Sequence, residues 1–161
     1  MRRLLPTIDK VHAHCDVPCG IYDPSEAQFA ALSVARFLQQ IDGLITDTMS
    51  TSDTLILSRM VQQKEEHAIS VKRAICVIWG DYFKSTHVET HPHIHELSHS
   101  IMQAASKCKQ QLSYENGVTL VDLVNQFAAV FWDTRAIATQ YVRTPYEPHL
   151  PLLVPVLPVI E

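Results

Sequence analysis

The sequence predicts an all-α protein, an up-and-down four-helix bundle, and three observations carry that prediction. Apolar residues recur at the 3.6-residue period in four separate stretches. Short polar segments holding Gly, Pro or Asn divide those stretches. The chain has 161 residues, 47% of them hydrophobic, which is enough to build a core in one domain.

The first helix follows Asp23-Pro24, with Asp23 as cap and Pro24 in the first turn, and carries Phe29, Val34, Phe37, Leu38 and Ile41 before Gly43 ends it. The second is expected over about 52–79, where Ile56, Leu57, Met60, Val61, Ala68, Val71, Ile75, Ile78 and Trp79 keep the period and Gly80 is the stop. That helix is roughly 40 Å long. A loop from Asp81 leads to His91-Pro92, where a third helix places Ile94, Leu97, Ile101, Met102, Ala105 and Cys108 on one face. Asn116-Gly117 reads as a turn. The fourth helix then opens near Thr119, whose spacing to Asp122 resembles a capping box, and presents Leu120, Leu123, Val124, Phe127, Val130 and Phe131 to the core. Beyond Arg143, Pro145, Pro148, Pro151, Pro155 and Pro158 forbid a helix, so residues 144–161 are expected as an extended tail on the surface or on a neighbouring subunit.

Charge and hydropathy exclude several functions. A formal charge of −4 with no block of like charge argues against nucleic acid or anionic membranes as partners. No stretch approaches the roughly 18 apolar residues of a membrane helix. Residues 1–6 start like a signal peptide, but Pro6, Asp9, Lys10 and His12 interrupt the apolar run that secretion needs. A soluble, cytoplasmic protein is expected.

Of the four cysteines, Cys76 and Cys108 fall inside apolar helical patterns and read as core residues. Cys15 and Cys19 lie instead in the turn sequence His14-Cys15-Asp16-Val17-Pro18-Cys19-Gly20. Two thiols three residues apart face one ion only if the chain between them turns tightly, and Pro18 and Gly20 supply a fixed and a permissive φ. A soft dithiolate excludes Ca²⁺ and Mg²⁺ and leaves Zn, Cu, Ni or an iron–sulfur cluster, although a cluster normally takes four cysteines. A plain loop or a local disulfide is the alternative on the cysteines alone.

The longer string from His14 to Pro24, HCxxPCGxYDP, resembles the metal-binding hook of the nickel superoxide dismutase family. The resemblance continues through Lys64-Glu65-Glu66-His67-Ala68, through Val77-Ile78-Trp79-Gly80-Asp81-Tyr82-Phe83-Lys84, through His87-Val88-Glu89 and through Phe131-Trp132-Asp133-Thr134, and so covers about 14–135. It implies a precursor whose leader, 1–13, is removed by a protease so that the mature chain starts at His14. A flexible hook over 14–22, a bundle to residue 143 and a tail over 144–161 complete the expected organisation.

The resemblance further implies one nickel ion per subunit, held by the Cys15 and Cys19 thiolates, the free α-amine of His14 and the deprotonated backbone amide of Cys15, with the His14 imidazole as an axial ligand of the oxidised metal. A planar four-donor set suits Ni(II). The implied activity is disproportionation of superoxide to O₂ and H₂O₂ by Ni(II)/Ni(III) cycling, with His14 and Tyr22 as catalytic residues. Tyr22 matches the family tyrosine that holds water or superoxide near the open face of the metal. A homohexamer is implied as well. Removing 1–13 takes away Arg2, Arg3, Lys10 and Asp9 and carries the net charge from −4 to −6. An anionic substrate then needs local positive potential, for which Lys72, Arg73 and Lys84 are candidates. Asp16 is a candidate for ordering the hook. One departure stands out: the family's glutamate and arginine that orient the axial imidazole align with Ala30 and His67.

His95-Glu96-Leu97-Ser98-His99 satisfies the HExxH zinc-protease pattern on a helix, but no downstream residue offers a convincing third ligand, since His149 lies in the proline tail. A rival from another class is a nickel or copper carrier, which would bind metal at the same hook without turnover. His87, His91 and His93 read as loop or solvent residues.

Overall fold

A computed structural model describes residues 19–158. Its elements are α1 (Ser25–Leu44), α2 (Thr51–Val77) with a π-helical turn over Ile78–Tyr82, α3 (Ser85–Thr90), α4 (Ile94–Gln110), α5 (Tyr114–Asp133), β1 (Thr139–Arg143) and β2 (Pro151–Pro155). Among the long helices α1 packs on α2, α2 on α4, α4 on α5 and α5 back on α1. That closed ring of chain neighbours is the expected up-and-down four-helix bundle.

The helix starts have local causes. Pro24, not Asp23, holds the N-cap of α1, and Asp23 stands one residue further out, its carboxylate accepting from the Ser25 backbone N–H at 2.7 Å as in an Asx turn. At α2 the Ser50 hydroxyl accepts from Asp53 N–H at 3.1 Å while the Asp53 carboxylate accepts from Ser50 N–H at 3.0 Å, a capping box that places the start at Thr51. The core holds Val34, Leu38, Ile41, Ala68, Val71, Ile75, Ile94, Ile101, Leu120, Val124, Phe127 and Phe131, all buried. Phe29 and Ile56 depart from the expected pattern, with 51% and 41% of their surface exposed. Cys76 is also exposed, not core, whereas Cys108 is fully buried.

Two glycines behave differently from what local propensity suggests. Gly80 does not stop α2, because the chain passes through it in the π turn, closed by a bond from Phe83 N–H to Ile78 C=O at 3.3 Å. The turn carries Tyr82 and Phe83 onto α5, with ring centroids 4.8 Å from Phe131 and 5.6 Å from Phe127. Burying one aromatic ring is worth roughly 1.5–3 kcal/mol, against about 1 kcal/mol for a helical glycine. Packing therefore overrides the stop. Likewise Asn116-Gly117 is not a turn but part of the first turns of α5, which opens at Tyr114. Thr119 is not a cap either, since its hydroxyl donates back to Glu115 C=O at 2.8 Å.

Gly117 is there because α1 crosses it closely. A Cβ at this position would lie 2.7 Å from the Ala35 Cα and 3.1 Å from both the Ala35 Cβ and the Leu38 Cδ1. Gly117→Ala gains about 1 kcal/mol of helix propensity but forces backbone apart at a cost of about 1–3 kcal/mol. The expected net result is a lower melting temperature, and a rise in Tm on calorimetry would show that the helices separate freely there.

Past α5 the fold departs from an unadorned bundle. The proline-rich segment is extended, as expected, but β2 pairs antiparallel with β1, from Thr139 opposite Pro155 to Arg143 opposite Pro151. The expected boundary at residue 143 therefore falls inside a hairpin. Leu152 and Leu153 are buried in the common core. Asn125 on α5 fixes them: its side-chain N–H donates to Pro151 C=O at 2.9 Å and its side-chain oxygen accepts from Leu153 N–H at 3.1 Å. Gln28 on α1 donates to that same oxygen at 3.0 Å and to Leu153 C=O at 2.8 Å. Four hydrogen bonds leave these buried amides satisfied, which a long-range polar contact in a core requires.

Candidate metal centre

His14, Cys15, Asp16 and the leader lie outside the described residues. The described end of the hook begins at Cys19, whose side chain is exposed, with Sγ 4.0 Å from Ile21 C=O. Gly20 follows with φ of +73°, a left-handed conformation that suits glycine and gives the reversal expected of it. Ile21 points to solvent, and Tyr22 returns half-buried to the bundle.

Tyr22 meets Tyr82, ring centroids 5.7 Å apart. Tyr82 in turn stacks on His87 at 5.1 Å and holds Thr134 Oγ1 through its hydroxyl at 2.8 Å. Over this cluster lies Arg135, its guanidinium carbon 5.1 Å from the Tyr82 centroid and 5.0 Å from that of Phe131. A guanidinium at that distance from two ring faces is held by their quadrupoles. The tyrosine next to the hook thus shares an aromatic cluster with a fixed positive charge.

The three cations expected to attract an anion separate. Lys72 donates to Ser106 Oγ at 2.7 Å, between α2 and α4. Arg73 lines a cleft of about 250 Å³ with Asp23, Glu26, Val77 and Ile78, at the level where the chain enters α1. Lys84 immediately follows Phe83, at the head of α3. Arg135 had no such role in the sequence, and the signal that could have suggested one is its place directly after the Phe131–Thr134 string.

Ala30 is buried in the bundle, and His67 stacks on Phe37 with centroids 5.9 Å apart and planes 25° from parallel. Ten residues of α2 separate His67 from Val77, roughly 15 Å along the axis. His67 therefore stands well away from Asp23 and the start of α1 in its own chain.

The remaining cysteines and histidines have structural partners. Burial pushes the Cys108 thiol up to about 11, which makes it inert at neutral pH. His95 Nδ1 accepts from the Trp79 indole N–H at 2.9 Å, so that ring nitrogen's lone pair is engaged. His91 links Thr90 Oγ1 at 2.9 Å to the Asp133 carboxylate at 2.8 Å, His149 Nδ1 meets Thr144 C=O at 2.9 Å in the hairpin turn, and His93 lies beside His91. Among the described residues no group of three or more His, Cys, Asp or Glu could hold a metal. The HExxH pattern thus lacks a third protein ligand there.

The fold and the described end of the hook define a class: a helical bundle with an exposed thiol on a tight turn ahead of its first helix, beside a tyrosine cluster. Comparison with known proteins narrows that class. A family model described as nickel-containing superoxide dismutase matches residues 9–135. The chain is similar to a superoxide dismutase [Ni] of Streptomyces coelicolor, with 33% identity over 135 residues that span 84% of this chain and 98% of the relative. A superoxide dismutase [Ni] of Streptomyces seoulensis is 35% identical over 136 residues, with the same coverage. The native crystal structure of a nickel superoxide dismutase superposes with a TM-score of 0.68 at 32% identity, covering 76% of this chain and 99% of that one. An apo structure gives 0.65 at 29% identity, over 73% and 99%. The chain belongs to the nickel-containing superoxide dismutase family. Its hairpin, β1 and β2, follows the last residue of the family match.

Proposed function

We propose that the mature chain, freed of residues 1–13, disproportionates superoxide to O₂ and H₂O₂ with one nickel ion held by His14, Cys15 and Cys19. The observation that carries this reading is the family match across 9–135 on a chain that retains every named position of HCxxPCGxYDP. The donor set fits the ion: the two thiolates are soft, and together with nitrogen donors from His14 they would suit nickel. A bound nickel ion would supply one-electron redox chemistry, Ni(II) against Ni(III), for the two halves of the disproportionation.

The chain's own residues do the rest. Cys15 and Cys19 provide the thiolates, and the His14 α-amine and imidazole provide nitrogen. Tyr22 is the gate, its hydroxyl orienting water or superoxide, and its ring contact with Tyr82 supports a fixed position for that hydroxyl. Arg135, 5.1 Å from Tyr82, draws the anion toward the foot of α1 in a protein that is negative overall, whereas Arg73 is offset by Asp23 and Glu26 in its cleft. Arg135→Gln is expected to lower kcat/KM several-fold at low ionic strength, with the deficit shrinking as salt screens the field. Arg135→Lys should keep most of the rate. Equal deficits at every ionic strength would assign Arg135 to packing instead.

A homohexamer and a cytoplasmic location, with a processing protease for the leader, complete the proposal. No helix among the described residues is long and apolar enough to cross a membrane. The deciding experiment follows superoxide decay with the nickel-loaded chain begun at His14. Catalysed decay supports the dismutase reading, and nickel bound without decay would make the chain a carrier.

A further inference from the structure

The hairpin presents two edges of opposite character. The flanking bonds from Val156 N–H to Ala138 C=O and from Thr144 N–H to Leu150 C=O fix the alternation of the ladder. Residues 140 and 142 bond inward to 154 and 152 respectively, while the backbone groups of 139, 141 and 143 on β1, and of 151, 153 and 155 on β2, point outward. On β2 that outward edge is sealed. Pro151 and Pro155 have no N–H, and Asn125 and Gln28 occupy Pro151 C=O and both groups of Leu153. The sheet therefore meets the bundle edge-on, through β2.

β1 is the far edge and has none of these protections. Thr139, Tyr141 and Arg143 offer their outward N–H and C=O groups, and among the described residues nothing bonds to them. The strand contains no Pro and pairs without a bulge, and its one charge, Arg143, is at its last residue, so the usual devices that blunt an edge are missing from its middle. Both faces of β1 stand clear of the bundle, since Tyr141 is 58% exposed and its neighbour Val142, on the opposite face, 36%.

We propose that β1 is a docking edge for a second copy of this chain, the two strands pairing antiparallel about Tyr141 to form a continuous four-stranded sheet. Pairing in that register sets Tyr141 against Tyr141 of the partner subunit and Thr139 against Arg143 of the partner subunit. All three outward residues are satisfied, and no like charges face each other. Such a contact is isologous and closes on itself. Its outer edges would be the two β2 strands, both already sealed, so strand addition ends at two copies and cannot run on into a fibre. A two-stranded sheet is marginal by itself, and doubling it removes its open edge. The contact would add to any made through the bundle, because the hairpin lies beyond the residues shared with the family. It does not depend on the dismutase reading.

Hydrogen exchange of the full chain, read across residues 139–143, tests the proposal together with sedimentation velocity on the same samples. The amides of Tyr141 and Arg143 are expected to exchange at least about tenfold more slowly than in an unfolded chain, as hydrogen-bonded groups do. Tyr141→Pro removes an N–H that the hairpin itself does not use, and Tyr141→Lys adds the charge that edges normally carry. Both variants should sediment more slowly than the parent while retaining its helical circular dichroism, and the lysine variant keeps the test valid if proline disturbs the hairpin. Free exchange at Tyr141 and Arg143 in the parent would overturn the proposal. So would protection there with unchanged sedimentation of both folded variants, since another segment of the same chain would then cover the edge.

Discussion

Serine in place of Cys15 or of Cys19 is expected to abolish superoxide consumption, with kcat/KM falling by at least about a thousandfold, some 4 kcal/mol of transition-state stabilisation. The thiol is ionised by a bound metal at neutral pH, whereas a serine hydroxyl is far less acidic and far harder as a donor. In the proposed ligand set each replacement removes one of the two thiolates that would bring the nickel potential into the range where superoxide is both oxidised and reduced. Nickel content by mass spectrometry and the thiolate-to-metal absorption band should fall with the activity, which separates loss of the site from loss of fold. Cys76→Ser serves as the control, because Cys76 is exposed yet turned toward α4, with its sulfur beside Met102 at 3.9 Å. Cys108 needs no such control, since its buried thiol with a pKa of about 11 takes no part. Parent-like turnover in the Cys19→Ser protein would sink the assignment of the hook.

What could be read from the sequence divides along a physical line. Positions such as Val34, Leu38, Ile101, Val124 and Phe127 were legible as core because one helix face is a local pattern, and all are buried. Helix ends were less legible where tertiary contact overrides local preference. Gly117 sits inside α5 because α1 needs its missing side chain, and Gly80 lies in a π turn because Tyr82 and Phe83 find partners on α5. The hairpin escaped for the same reason. The prolines rule out a helix, but the groups that hold β2 are Gln28 and Asn125, two amides that resemble ordinary surface residues in a sequence.

The candidate site shows a similar split. The hook is contiguous, so its proposed donors and turn residues are visible together; at its described end the Cys19 thiol is exposed and Gly20 uses the permissive φ assigned to it. Tyr82 comes to Tyr22, and Arg135 to Tyr82, from distant parts of the chain, and neither residue type signals this placement in a sequence. His67 was legible as an unusual residue at its position, and its stacking on Phe37 gives it a packing role that alignment could not supply.

The leader gives the second large effect, and its cause is the covalent state of one nitrogen. In the 161-residue chain the His14 nitrogen is acylated by Ala13, so its lone pair is delocalised into an amide and is a poor donor to a metal without loss of a proton. Cleavage after Ala13 makes it an amine, which donates readily at neutral pH once a metal competes with its proton. The nickel-loaded chain begun at His14 is therefore expected to consume superoxide at least about a thousandfold faster than the full chain loaded in the same way. Chemistry, not bulk, sets this difference, so a chain begun at Ala13 should be as inactive as one with the complete leader. Stopped-flow decay of superoxide on the three forms, each with its nickel content measured, separates the explanations. A fully active Ala13 form would mean that the His14 amine is not a ligand and that the leader acts by covering the site. Activity absent from all three while each holds one nickel would leave a hook that binds the ion without cycling it, which is the behaviour of a carrier.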